Sequence, residues 1–301
     1  MIIPKKRLSE FIKYHIEGDC GCNVVVLKKY AVNKNLNNQQ IWNLCYFFAI
    51  TYNVTSAIVL FENRANIEQI SQQDIVFQSD RKWMGFQDRF SKAINFYRRM
   101  PSFEEFLENN SQNGILSLRS AYFDICKNWF YFKRFSAFMF IETLVGVLSM
   151  PIIYDLKLNW NQGDTATSGM LNLLGLDIQA DAFDRSGKLF VDCAVLDSAM
   201  NMLQHKFLEF GGDSNITSIE TTLCAYRKHF KQSRYNGFYL DRMLEELHKM
   251  QAKFPKVVSE IFQIRAQCFH RSVLGECNNW QGIRTNLKKR YQKTGRIFYG
   301  H

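Results

Sequence analysis

Apolar side chains recur along most of this chain at intervals of three and four residues, the spacing that lines one side of an α-helix. Between Gln39 and Leu60 that interval is kept by Ile41, Leu44, Cys45, Phe48 and Tyr52, which predicts one long helix with a buried face. Ser117–Phe132 repeats the pattern with Leu118, Tyr122, Ile125, Trp129 and Phe132. Phe135–Met150 is apolar on nearly every side and should be the central helix. Further helices are predicted at Phe86–Arg99, Ser102–Glu108, Asp192–Phe210, Ser218–Lys231, Phe238–Lys253 and Lys256–Phe269. Pro101 and Pro255 suit helix starts, because proline has no amide hydrogen to lose there. The only strand candidates are Asn23–Leu27 and Ile152–Leu156, both short. The expected class is therefore all-α. One large helical catalytic domain is expected over residues 1–277, with room for a sub-boundary near 155–165, followed by a basic, aromatic tail over 278–301.

Composition narrows the picture. A chain of 301 residues with 47% hydrophobic and 22% charged residues is neither disordered nor fibrous, and can bury a sizeable core. The apolar run Phe135–Tyr154 has Glu142 at its centre and Pro151 near its end, so it reads as a core helix and not as a membrane span. The N-terminal stretch carries Lys5, Lys6 and Arg7 without a following apolar run, which is not the pattern of a secretory signal. Eight scattered cysteines without a Cys-x-x-Cys pair read as reduced thiols in a cytosolic protein. A zinc site from Cys20, Cys22, Cys268, His270 and Cys277 is the weaker alternative. The net charge of +10, with 26 Phe, 13 Tyr and 5 Trp, favours a polyanionic partner.

Three stretches interleave cations with rings or polar loops. Asp80-Arg81-Lys82-Trp83, followed by Arg89, Lys92, Tyr97, Arg98 and Arg99, suits contact with a nucleic-acid backbone; a solvated face is the alternative. The tail holds Arg284, Lys288, Lys289, Arg290, Lys293 and Arg296 and no acid, interleaved with Trp280, Tyr291, Phe298 and Tyr299. Cations would hold phosphates there while rings stack on bases. The polar loop Leu158–Ser168, with Trp160 in it, runs into a helix start whose amides could meet a phosphate; a plain capped loop is equally consistent.

Candidate chemistry concentrates between residues 216 and 242. Ile216, Ile219, Leu223, Tyr226 and Phe230 form one stripe, with Glu220, Cys224, Arg227 and Lys231 along its border. A border carboxylate or guanidinium feels both the protein and a ligand, although an ordinary ion pair fits the same pattern. Arg234, Tyr239 and Asp241 follow around a break at Gly237 and are expected near the same spot. Glu142, in its apolar helix, should pair with Arg134 or another buried arginine as a structural tie. No phosphate-binding Gly-x-x-x-x-Gly-Lys loop, dinucleotide fingerprint, Gly-x-Ser-x-Gly elbow, paired-histidine zinc motif or deaminase signature occurs. Nucleotide hydrolysis and hydride transfer are thereby disfavoured.

At these residues the chain resembles the bacteriophage α-glutamyl/putrescinyl thymine pyrophosphorylases, or amino acid:DNA transferases. The matching segments are Ile219-Glu-Thr-Thr-Leu-Cys224 with Arg227, then Arg234 and Gly237-Phe-Tyr-Leu-Asp-Arg242. Trp42-Asn-Leu-Cys-Tyr-Phe-Phe48 with Tyr52, and the Asp80-Arg81-Lys82-Trp83 block, are similar as well. The likeness covers about residues 40 to 250 and leaves out the tail. It implies a DNA-modifying transferase, with a helical fold like that of some DNA glycosylases, working in the cytoplasm of an infected bacterium. Such an enzyme displaces pyrophosphate from 5-pyrophosphoryloxymethyluracil in DNA with the amine of an amino acid or polyamine, giving a hypermodified thymine. The residues that suit those roles are Glu220 as general base, Asp241 as second candidate, and Tyr239 to orient the amine or the ring. Arg227 and Arg234 would clamp the pyrophosphate, and Trp83 or Trp160 would stack on an extruded base. DNA contacts would come from Arg81, Lys82, Arg284, Lys288, Lys289 and Arg290. Cys224 as a covalent nucleophile is the lesser option, since no adjacent histidine would activate it. No cofactor is called for, and whether Mg²⁺ helps neutralise the pyrophosphate stays open. The competing readings are a helical glycosylase-like enzyme and a non-enzymatic phage DNA-binding protein.

Overall fold

The computed structural model describes residues 12, 21–78, 84–85, 88–160, 165–176, 192–230, 238–269, 274 and 293. It is mostly helical, with one small three-stranded sheet, as the apolar spacing predicts. The chain divides into two compact units. The first comprises the described residues of 21–156 and 241–269, and the second those of 157–240.

The first unit holds α1 (Cys22–Asn33), α2 (Asn38–Thr51), α3 (Val54–Glu62), α4 (Arg89–Tyr97), α5 (Phe103–Asn110), α6 (Leu118–Asn128) and α7 (Arg134–Leu148). The predicted single helix over Gln39–Leu60 is two helices. Tyr52 takes a left-handed conformation (φ 50°) and its amide closes α2 on the Phe48 carbonyl. Asn53 then caps α3 by accepting the amide of Ser56 at 2.8 Å. The strand expected at Asn23–Leu27 is instead part of α1, whose Val26, Leu27, Tyr30 and Ala31 are buried. Ile152–Ile153 is a strand, β3, paired in parallel with β2 (Ile115–Ser117). β2 also pairs antiparallel with β1 (Ser111–Gln112) through a two-residue turn at Asn113-Gly114, both with positive φ. The core of this unit is aromatic. Trp42 is fully buried and its ring centroid lies 4.7 Å from Phe106, 5.0 Å from Phe140 and 5.5 Å from Trp129. Tyr46 adds contacts to Phe96, Trp129 and Phe132, and donates its hydroxyl to the Ala93 carbonyl at 2.8 Å.

The second unit holds α8 (Thr165–Leu173), α9 (Cys193–Glu209) and α10 (Ile216–Phe230). The helix α11 (Phe238–Gln251) crosses the division after Leu240, and α12 (Pro255–Cys268) lies in the first unit. α8 and α10 pack closely because Gly169 presents no side chain. A Cβ built there would sit 2.0 Å from the Leu223 carbonyl oxygen. No helix among the described residues is long and apolar enough to cross a membrane.

Candidate functional site

α10 is an amphipathic helix whose apolar side is buried through Ile216, Ile219, Leu223 and Tyr226. Its start is fixed by Asn215, which accepts the Ser218 amide at 2.8 Å and the Thr217 hydroxyl at 2.7 Å. Beside the apolar stripe run Glu220, Cys224 and Arg227, at positions i, i+4 and i+7. Those positions fall within a narrow arc, and about 10.5 Å of helix axis separates the first from the last. Glu220 is only 4% exposed, so its carboxyl lies inside the unit, and the Cys224 thiol donates to Oε1 at 3.5 Å. Arg227 is half-buried, and its Nε is buried without a hydrogen-bond acceptor.

Both α8 and α10 bury several polar side chains. Thr167, Ser168, Asn172, Thr217, Glu220 and Thr222 are all buried in these two helices. Thr222 satisfies itself on the Ser218 carbonyl at 2.7 Å. Asn172, one turn beyond Gly169, leaves its Oδ1 buried and without a partner. An unsatisfied buried donor or acceptor costs about 1–3 kcal/mol, so two such atoms on paired helices mark places where a ligand group would be stabilising.

The other expected site residues fall differently. Tyr239 and Asp241 are half-buried on the first turn of α11; Tyr239 belongs to the second unit and Asp241 to the first. Trp160 is 8% exposed and donates its indole N–H to Asp197 at 2.9 Å. It thus ties the segment before α8 to α9, and its ring is packed instead of being displayed to a base. Arg81, Lys82, Trp83, Arg234, Arg284, Lys288, Lys289 and Arg290 lie outside the described residues, as do Cys20, His270 and Cys277. Cys22 is buried in α1, while Cys268 closes α12. Among the described residues no group of three or more His, Cys, Asp or Glu is placed to hold a metal ion. The Trp42–Phe48 block of the resemblance is core: every residue in it except Asn43 is buried.

A second buried acid escapes the sequence reading. Glu246 on α11 is 2% exposed; Asn53 Nδ2 donates to Oε2 at 2.5 Å and Arg242 Nε to Oε1 at 3.0 Å. Burial pushes its carboxyl up to about 7, against the opposing pull of Arg242. Glu246 lies four residues after Arg242, as a surface ion pair would, so periodicity could not mark it as buried. Asn53, which caps α3, is the residue that draws it inward. No protein-family model matches the chain, and no curated protein sequence matches it.

Proposed function

We propose that the chain is a DNA-modifying transferase that replaces pyrophosphate on 5-pyrophosphoryloxymethyluracil with the amine of an amino acid or polyamine. The observation that carries this reading is the pairing, on one face of α10, of a buried carboxyl at Glu220 with an Arg227 whose buried Nε has no acceptor. A general base and an anion-binding guanidinium are the two groups the reaction requires. In the reaction the amine nitrogen bonds to the exocyclic methylene as the carbon–oxygen bond to pyrophosphate breaks. The electron pair leaves with the pyrophosphate, and the amine's proton passes to Glu220. Arg227 holds the departing negative charge, with Arg234 as its expected companion. The excess of positive charge over the chain suits a DNA substrate.

The test is incubation of the purified protein with pyrophosphorylated DNA and glycine, glutamate or putrescine in turn, followed by mass analysis of the nucleosides. Adduct masses with loss of pyrophosphate support the reading. DNA binding without any such product would favour a non-enzymatic DNA-binding protein.

A further inference from the structure

Four asparagines are buried among the described residues, and three of them work through their side chains. Asn53 caps α3 and holds Glu246, Asn110 donates to the Phe106 carbonyl at 3.0 Å and to Asp124 at 3.1 Å, and Asn215 caps α10. Asn172 on α8, 6% exposed, is the exception: its Oδ1 is buried and accepts no hydrogen bond. Helix termination does not require its side chain. Gly175, φ 76°, is the left-handed residue after α8, and its amide is met by the Asn172 backbone carbonyl at 3.1 Å. Asparagine is also a weaker helix former than leucine or alanine, either of which would bury no unpaired atom. What distinguishes the position is its neighbour. The two helix backbones touch at Gly169 and Leu223. Asn172 lies three residues from Gly169 and Glu220 three residues from Leu223, each about 4.5 Å along its own axis from that contact. Both side chains are buried within the second unit.

We infer that Asn172 holds the incoming amine: its Oδ1 accepts one N–H of the nitrogen while Glu220 takes the other hydrogen as a proton, so the co-substrate must be a primary amine. The inference deepens the transferase reading and rests on it. As the nitrogen bonds to the exocyclic methylene, the carbon–oxygen bond breaks and its electron pair leaves with the pyrophosphate. A primary amine then carries two N–H bonds. One gives its proton to Glu220, and the other stays on nitrogen and donates to Asn172. A secondary amine has a single hydrogen at that point, which goes to the base and leaves Oδ1 buried without a donor. Sites built to bond a substrate N–H reject analogues that lack it far more strongly than a pocket rejects one extra methyl group.

The test uses the full chain with pyrophosphorylated DNA and pairs of amines that differ by a methyl group on each nitrogen: glycine and sarcosine, glutamate and N-methylglutamate, putrescine and N,N′-dimethylputrescine. Adduct is read by nucleoside mass. For the pair whose primary member reacts, wild type should favour that member at least roughly tenfold in kcat/KM. Asn172→Leu keeps the bulk and removes the acceptor. Its reaction with the primary amine should fall roughly tenfold and its preference should shrink to within about threefold of unity, while its thermal midpoint stays level or rises. Asn172→Ala should lose the same reaction with the primary amine. Exclusion of the methyl group by bulk alone gives a different pattern: Asn172→Leu keeps the wild-type preference, and Asn172→Ala gains on the secondary amine without losing on the primary. Either result would overturn the inference. Equal rates of wild type on both members of a pair would overturn it as well and leave the transferase reading standing. Absence of adduct from every amine would overturn that reading and the inference with it.

Discussion

Both units bury polar side chains beside apolar ones, in different settings. In the first, Trp42 is enclosed by Phe103, Phe106, Trp129 and Phe140, a cluster whose geometry follows from ring size and packing. In the second, α8 and α10 meet through Gly169 and bury Thr167, Ser168, Asn172, Glu220 and Thr222. An aromatic core contributes stability and asks for no partner. Buried polar atoms without a hydrogen bond are costly for a fold to keep, and a ligand group that completed them would be stabilising. The first unit buries polar groups too, Asn53 and Glu246 among them, but those two hydrogen-bond to each other, so the proposed chemistry is sought in the second unit.

That division of roles can be broken by mutation. Trp42→Ala should produce the largest loss of stability, about 3–5 kcal/mol, because it empties the centre of the aromatic cluster. Denaturant unfolding would measure it, and turnover per folded molecule should be unchanged. A matching loss of turnover would erase the distinction. Gly169→Ala should follow at about 1–3 kcal/mol, since the new methyl group meets the Leu223 carbonyl and must push α8 from α10. Here turnover should fall further than stability does, with faster amide exchange confined to α8 and α10.

Glu246→Gln sharpens the comparison through pH. The carboxyl ionises at about 7 when folded, against 4.5 as the ordinary value. Its contribution to stability is therefore complete below 4.5 and is lost as pH rises through 7, by at most roughly 1.4 kcal/mol per unit. Glutamine mimics the protonated acid. The midpoint of the variant minus that of wild type should rise from pH 5 to pH 8, and a flat difference would contradict the assignment. The smallest effect is expected from Cys224→Ala, which removes the thiol donor to Glu220. Turnover should stay within about threefold, the size of one weak hydrogen bond; its abolition would make the thiol a nucleophile.

How far the sequence could be read differs along the chain in the same way. Helices with a repeating apolar stripe, such as α9 and α12, and the all-round apolar α7 were legible because periodicity depends only on local spacing; the run predicted to Phe132 stops at Asn128, where Trp129 turns extended. The break at Tyr52-Asn53 was hidden because apolar residues continue on both sides of it, and only the cap at Asn53 marks it. The valine run of α1 resembles a strand by propensity, and packing of its buried face decided otherwise. Asn113-Gly114 did carry a signal, the turn pair of a two-residue hairpin, but the strands beside it are too short to alternate. Glu220 and Arg227 could be placed on one helix face from their spacing. That Asn172 would lie buried and unpaired on the neighbouring helix could not, since helix pairing is non-local. The same applies to Glu246, whose burial depends on Asn53, far away in sequence.

The central claim is that Glu220 removes the proton from the incoming amine, and its most direct test compares wild type with Glu220→Gln on pyrophosphorylated DNA, reading adduct by mass and DNA binding by anisotropy. The account predicts unchanged DNA affinity with product formation reduced at least tenfold, a bound set below the roughly 10²–10⁴-fold that a positioned base contributes. Equal product formation by the two proteins would contradict it.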